Sequence, residues 1–283
     1  MGKQPSYTQG GGHPLFDVSG KIVAATGGGG VLVGEMCRGL ASLGALVAVL
    51  DVNEHAACRV AREITEQGGQ AIAIETDVLS RSSVAQALEA IRARFGPVDI
   101  LINGAGGNRK EATTSDEARF FDLPEQAVRW VFDLNFMGIL IPSQVFGRQM
   151  AEHGSGVILN ISSMNAFRPL TRIPAYSAAK AAVSNFTQWL AVHMAQEYST
   201  RIRVNAIAPG FFETEQNKYL LHDARTGELT PRAVSILGHT PLGRFGVPAD
   251  LLGAVVWLVS EASSFVTGAV VLVDGGFSAF SGV

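Results

Sequence analysis

Hydrophobic positions along the chain follow two alternating patterns. Short apolar, β-branched runs at 21–26, 45–51, 71–75, 98–103, 156–161, 202–206 and 269–273 predict strands. Between them, apolar residues recur at helical spacing near 34–43, 54–67, 81–95, 125–150, 175–198 and 248–259. After Tyr176, for example, Ala178, Ala182, Phe186 and Trp189 fall on one helical stripe, which predicts a long helix with one face buried. Strands separated by helices of this length pair in parallel, through right-handed crossovers. The expected fold class is α/β: a single Rossmann-like, doubly wound domain over 16–283, whose parallel seven-stranded sheet carries helices on both faces.

Two stretches break this rhythm, a polar insertion near 107–124 and a long segment near 211–246. Each follows the carboxyl end of a strand, where ligands of open α/β sheets bind, so both read as substrate loops. Residues 1–15, with three consecutive glycines at 10–12 and no apolar run, read as a flexible arm.

Composition narrows the function classes. The chain has 283 residues, and 22 Lys+Arg against 25 Asp+Glu leave a net charge of −3, which offers no basic surface to nucleic acid or an anionic membrane. No uninterrupted apolar stretch is long enough to span a bilayer. Cys37 and Cys58 both fall in helical patterns, which predicts free thiols and a cytoplasmic protein. The six histidines show no ligand spacing, so no metal site is expected.

Candidate chemistry lies at the predicted carboxyl ends of the strands. Thr26-Gly27-Gly28-Gly29-Gly30 sits between the first strand and the first helix. There glycines allow a tight turn and close approach to a pyrophosphate, and the helix N-terminus offers N–H groups. Alone, such a cluster is also an ordinary turn. Asp51 ends the second strand, where a carboxylate binds adenosine ribose hydroxyls and repels a 2′-phosphate. The next residue is Val52 rather than Arg, so NAD (NADH) is expected over NADP. Asp77, and Asn103-Gly104-Ala105-Gly106, extend this edge.

The strongest local signal is Tyr176-Ser-Ala-Ala-Lys180, with Ser163 thirteen residues before Tyr176. Tyr and Lys at i, i+4 share a helix face. A phenol is a poor acid-base catalyst at neutral pH unless a cation favours its phenolate, and Lys180 is placed to supply one. Ser163 is placed to hydrogen-bond a reacting carbonyl or alcohol oxygen.

In this order, the glycine turn, Asp51, Ser163, Tyr176 and Lys180 resemble the short-chain dehydrogenase/reductase family over all but the first fifteen or so residues. The resemblance implies a catalytic set of Asn135, Ser163, Tyr176 and Lys180, with Asn135 supporting a water-linked proton relay. It implies cofactor contacts at Gly27, Gly29, Gly30, Val31, Leu32, Asp51, Asp77, Val78 and 103–106. Tyr176, Lys180, Pro209, Gly210, Phe212 and Thr214 complete that set. The helices carrying Asn135 and Tyr176 resemble those the family uses to pair subunits, implying a homotetramer or dimer. The chain departs from the family pattern at Val31 and Val33, where glycines are usual, and at Gly104, where a second asparagine is usual.

A narrower resemblance concerns substrate. Segments 26–32, 103–107, 162–171, 208–212 and 274–278 resemble the D-mannonate oxidoreductase, or fructuronate reductase, branch, which implies interconversion of D-fructuronate and D-mannonate. A hexuronate carboxylate calls for a basic partner, ideally the planar fork of arginine. The candidates are Arg109 and Lys110 in the insertion, Arg168 and Arg172 before Tyr176, and Lys218, with Asn165 for a sugar hydroxyl. Arg168, five residues past Ser163, is the expected carboxylate partner. Another sugar acid, polyol or cyclic alcohol as substrate, or a non-catalytic NAD-binding scaffold, is also compatible with the residues.

Overall fold

The computed structural model describes residues 13–214, 221–223 and 225–282. All seven strands form one parallel sheet in the order β3-β2-β1-β4-β5-β6-β7. They are β1 (Ile22–Thr26), β2 (Leu46–Asp51), β3 (Gln70–Glu75), β4 (Ile100–Asn103), β5 (Gly156–Ile161), β6 (Ile202–Pro209) and β7 (Val270–Val273). The order reverses between β1 and β4, which opens a crevice at their carboxyl ends.

The helices are α1 (Val31–Ser42), α2 (Glu54–Glu66), α3 (Arg81–Arg94), α4 (Glu125–Phe132), α5 (Gly138–His153), α6 (Pro174–Glu197), α7 (Pro231–Gly238) and α8 (Leu252–Val259). Alternate strand residues serve opposite faces of the sheet. Val23 and Ala25 pack with α1, α2 and α8 residues such as Met36, Val60 and Val255. Ile22 and Ala24 pack with α3, α5 and α6 residues such as Ile91, Phe146 and Leu190. Central strands buried on both faces read as continuous apolar runs, which is why their positions are legible in the sequence.

Four expectations change. The helix expected over 125–150 is divided into α4 and α5 by a π-helical turn at Asp133–Met137. Pro142 lies inside α5, where it cannot donate to the carbonyl of residue 138. The segment 211–246 is not all loop. Thr230 caps α7 by accepting from Ala233 N, with Pro231 at its first position. β6 continues past Ala206 to Pro209, carrying the chain directly to the crevice. Of the arm, 1–12 lie outside the described residues, whereas Pro14–Phe16 form a short 3-10 turn.

Among the described residues no helix is long and apolar enough to cross a membrane, and no three ligating side chains cluster as a metal site. Cys37 is buried and Cys58 exposed, both unpaired with sulfur.

Candidate active site

The carboxyl ends of β1, β2, β4, β5 and β6 border a cleft of about 620 Å³. At one end lie Gly27, Gly30, Leu32 and Asp51. Asp77, Val78, Gly104, Ala105 and Gly106 line its middle, and Ser163, Tyr176, Lys180, Pro209 and Gly210 its far end. Residues up to 183 positions apart in sequence thus meet in one cavity, from Gly27 to Gly210.

The glycine turn is built for close approach. Gly27 has φ +67°, and a Cβ there would lie 2.8 Å from Ala105 N. Thr26 Oγ1 accepts from Gly104 N (3.1 Å) and Ala105 N (3.4 Å), tying the turn to the loop after β4. The first turn of α1 has no side-chain cap, so its N–H groups face the cleft end as an anion-binding surface. Asp51 is held from both sides, Oδ2 accepting from Gly29 N (3.0 Å) and Oδ1 from Asn53 N (2.9 Å). Val52 beside it is exposed. Arg59, a cation the sequence reading missed, reaches this end, but its Nη2 donates to Gly29 O (3.3 Å) and it neighbours Glu63. These features fit a dinucleotide whose adenosine ribose carries free hydroxyls.

The catalytic candidates converge at the other end. Ser163 leaves β5 in extended backbone, and its Oγ accepts from Asn165 N (3.2 Å) and lies near the Tyr176 hydroxyl. Lys180 Nζ donates to Ile161 O (2.8 Å) and lies 5.6 Å from the Tyr176 ring centre. Asn135 sits in the π-helical turn; its Nδ2 donates to Val131 O (2.8 Å) and Gly107 O (2.6 Å), and its Oδ1 accepts from Gly107 N (3.3 Å). A Cβ on Gly106 would lie 2.6 Å from Asn135 Oδ1 and 3.3 Å from Lys180 Nζ, so the loop after β4 passes between these two side chains. Single π-turns recur where a side chain is re-aimed at a site.

Burial drives the electrostatics here. It lowers the Lys180 ammonium to about 8 and raises the Tyr176 phenol, with the Ser163 hydrogen bond opposing the latter rise. In the protein alone the phenol is thus raised by burial, not lowered as its spacing to Lys180 suggests.

Other expected residues are placed differently. Asn103 is buried, donating to Ser143 Oγ (3.0 Å) and Asn160 Oδ1 (2.9 Å), and braces β4 against β5 and α5 instead of lining the cleft. Val31 and Thr214 line an adjoining cavity with Phe245, and Phe212 lines another with Asp274. Gly29 contributes through its N–H to Asp51. Asn165 lines a separate cavity of about 800 Å³ between the insertion and the start of α6. Its Oδ1 and Ser177 Oγ, both facing that cavity, are buried without partners.

Among the basic candidates, Arg168 Nε donates to Ser278 O (3.1 Å) in the C-terminal segment, and Arg172 lies 3.9 Å from Asp116. Arg109 lies on Trp130, with its guanidinium carbon 3.7 Å from the ring centre. Lys110 is exposed in a 3-10 turn, and Lys218 lies outside the described residues. Thr76, Trp130 and Leu134 also line the cleft, though no sequence signal marked them. Trp130 occupies a helical apolar position whose core reading was equally good.

Comparison with known proteins adds an independent line. The family profile for short chain dehydrogenases matches residues 21–225. An uncharacterised oxidoreductase of Bacillus subtilis, UxuB, is 49% identical over 280 residues, covering 95% of this chain and 99% of that protein. A Haemophilus influenzae crystal structure with bound NAD, provisionally assigned as a D-mannonate oxidoreductase, is 49% identical with a TM-score of 0.89, covering 94% of this chain and 98% of that one. The 5-keto-D-gluconate 5-reductase of Escherichia coli is 34% identical, covering 93% of this chain and 98% of the relative.

Proposed function

The chain belongs to the short-chain dehydrogenase family, and from that premise we propose that it is an NAD(H)-dependent oxidoreductase interconverting D-fructuronate and D-mannonate. The carrying observation is the shared cleft: the Ser163 hydroxyl, Tyr176 phenol and Lys180 ammonium at one end, the glycine turn and Asp51 at the other. That arrangement suits transfer between a dinucleotide and a carbonyl carbon. The substrate assignment draws on the provisional mannonate assignment of the Haemophilus protein.

When bound, the nicotinamide supplies or takes up the hydride at the substrate carbon. The chain's own part concerns the oxygen and its proton. In reduction, Tyr176 donates its proton to the oxygen while Ser163 donates a hydrogen bond to it. Lys180, whose ammonium lies 5.6 Å from the Tyr176 ring centre, balances the phenolate that results. Asn135 holds in place the loop after β4, which passes between it and Lys180, and is the residue the family pattern gives to a water-linked relay. Asp51 accepts from the adenosine ribose and disfavours a 2′-phosphate. In oxidation the same groups act in reverse.

The test is NADH consumption with D-fructuronate, 5-keto-D-gluconate and neutral ketoses, repeated with NADPH. The expected result is the highest kcat/KM for D-fructuronate with NADH. Preference for 5-keto-D-gluconate would move the assignment towards the Escherichia coli relative's substrate, and equal use of NADPH would remove the role given to Asp51.

We infer further that the protein works as a homo-oligomer, a tetramer or dimer, paired through α5 and α6. An aromatic row runs along α6, from Phe136 of the π-helical turn through Phe186, Trp189 and His193 to Tyr198 at its end, and Trp189, Val192 and Tyr198 are each 56% exposed. Apolar side chains so exposed and contiguous favour burial against another protein surface.

A further inference from the structure

We propose that Arg109, held on the face of Trp130, binds the substrate carboxylate and so selects acids over neutral sugars. This rests on the reading of the site as a sugar-acid oxidoreductase and names the residue that would enforce it.

Three observations carry the proposal. The first is access to the cleft. Trp130 lines the same cavity as Gly106, Gly107, Tyr176 and Lys180, and Arg109 lies on its ring at 3.7 Å. Arg109 follows Gly106 by three residues, so its Cα lies within about 10 Å of the backbone that passes beside Lys180. In a six-carbon keto acid the carboxylate lies four bonds, about 5 Å, from the carbonyl, and the long arginine side chain supplies the rest of the reach.

The second is pre-organisation. Stacking on an indole fixes the guanidinium plane while leaving its N–H edge available, the geometry a carboxylate fork requires. Ordering a long cationic side chain usually costs binding energy, and here the stack has ordered it already.

The third is elimination. Among the described residues, no carboxylate pairs with the Arg109 guanidinium, although most other arginines around the site are engaged. Arg168 is bound to Ser278 O, Arg172 faces Asp116, Arg59 is bound to Gly29 O and Arg129 is paired with Glu125. Arg119 lines the separate cavity with Phe120 and Phe121, and Tyr176 is not among the residues lining it. Lys110 carries a charge but no fork. These engagements favour Arg109 over Arg168 as the carboxylate partner in this proposal.

The experiment compares wild type, Arg109→Gln and Arg109→Lys on D-fructuronate and on D-fructose at high concentration, with the NADH Kd measured by fluorescence titration. Arg109→Gln should lower kcat/KM for D-fructuronate by about 30-fold, chiefly through KM, and Arg109→Lys should recover part of the loss. D-fructose kinetics and the NADH Kd should stay within about twofold of wild type. Equal losses on both sugars, weaker NADH binding with acid selectivity intact, or unchanged D-fructuronate kinetics would each overturn the proposal. Wild type that binds NADH yet fails to reduce D-fructuronate would remove the underlying substrate reading, and this proposal with it.

Discussion

Tyr176 and Lys180 share a helix face and a cleft, and burial pushes both towards their neutral forms. Their spacing alone suggested an ammonium lowering a phenol; how deeply each is buried follows only from the fold around them. The depressed lysine has a measurable consequence. Its native value of about 8 lies below its ordinary 10.5, so between those values the unfolded chain binds a proton that the native one has released. Stability therefore rises with pH across that window, by about 2 kcal/mol from pH 8 to 9.5. The raised Tyr176 acts only above about pH 10, outside the range measured. In urea titrations of the protein alone, Lys180→Met should lack this rise. Parallel stability profiles for variant and wild type would show that Lys180 does not titrate there. The residues legible from sequence were those in a tight motif: Ser163, Tyr176, Lys180 and Asp51. Thr26, which binds the loop 78 residues away, and Trp130 were not, because their roles depend on neighbours distant in the chain.

At the scale of elements, the strands and most helices followed from apolar periodicity, whereas the π-helical turn did not. A one-residue change in helical register leaves the periodicity nearly intact, so the sequence pattern carries no mark of it. The departures at Val33 and Gly104 become one feature in the fold. A Cβ on Gly104 would stand 2.3 Å from Val33 Cγ2, so the valine of α1 fills the volume that a side chain after β4 would need. Bulk has been exchanged between two elements that border the cofactor end of the cleft. Gly104→Asn should therefore destabilise the protein by about 1–3 kcal/mol through overpacking and weaken NADH binding. Adding Val33→Gly should recover at least about 1 kcal/mol of that loss in a double-mutant cycle. Strictly additive effects in thermal or urea unfolding would show that the two positions do not compete for space.

For the whole molecule, the reversal of strand order between β1 and β4 places the glycine turn, Asp51, Ser163 and Tyr176 around one cleft. The same fold leaves Trp189, Val192 and Tyr198 at the α6 surface exposed. If subunits pair there, Trp189→Glu should lower the mass seen by sedimentation or light scattering, while an unchanged mass would place the contact elsewhere. The overall plan was legible because alternating strands and helices admit few topologies. Substrate identity was much less so, because it depends on side chains from loops whose positions no periodicity fixes. The account nonetheless has one chemical centre, the phenol of Tyr176. Its most direct test is the single-turnover rate of NADH oxidation by Tyr176→Phe against wild type with saturating D-fructuronate, alongside NADH binding. The expected result is a rate at least ~100-fold lower with the NADH Kd nearly unchanged, the usual scale for losing a general acid. A Tyr176→Phe rate within a few-fold of wild type would contradict the account, because proton transfer would then have to come from another group.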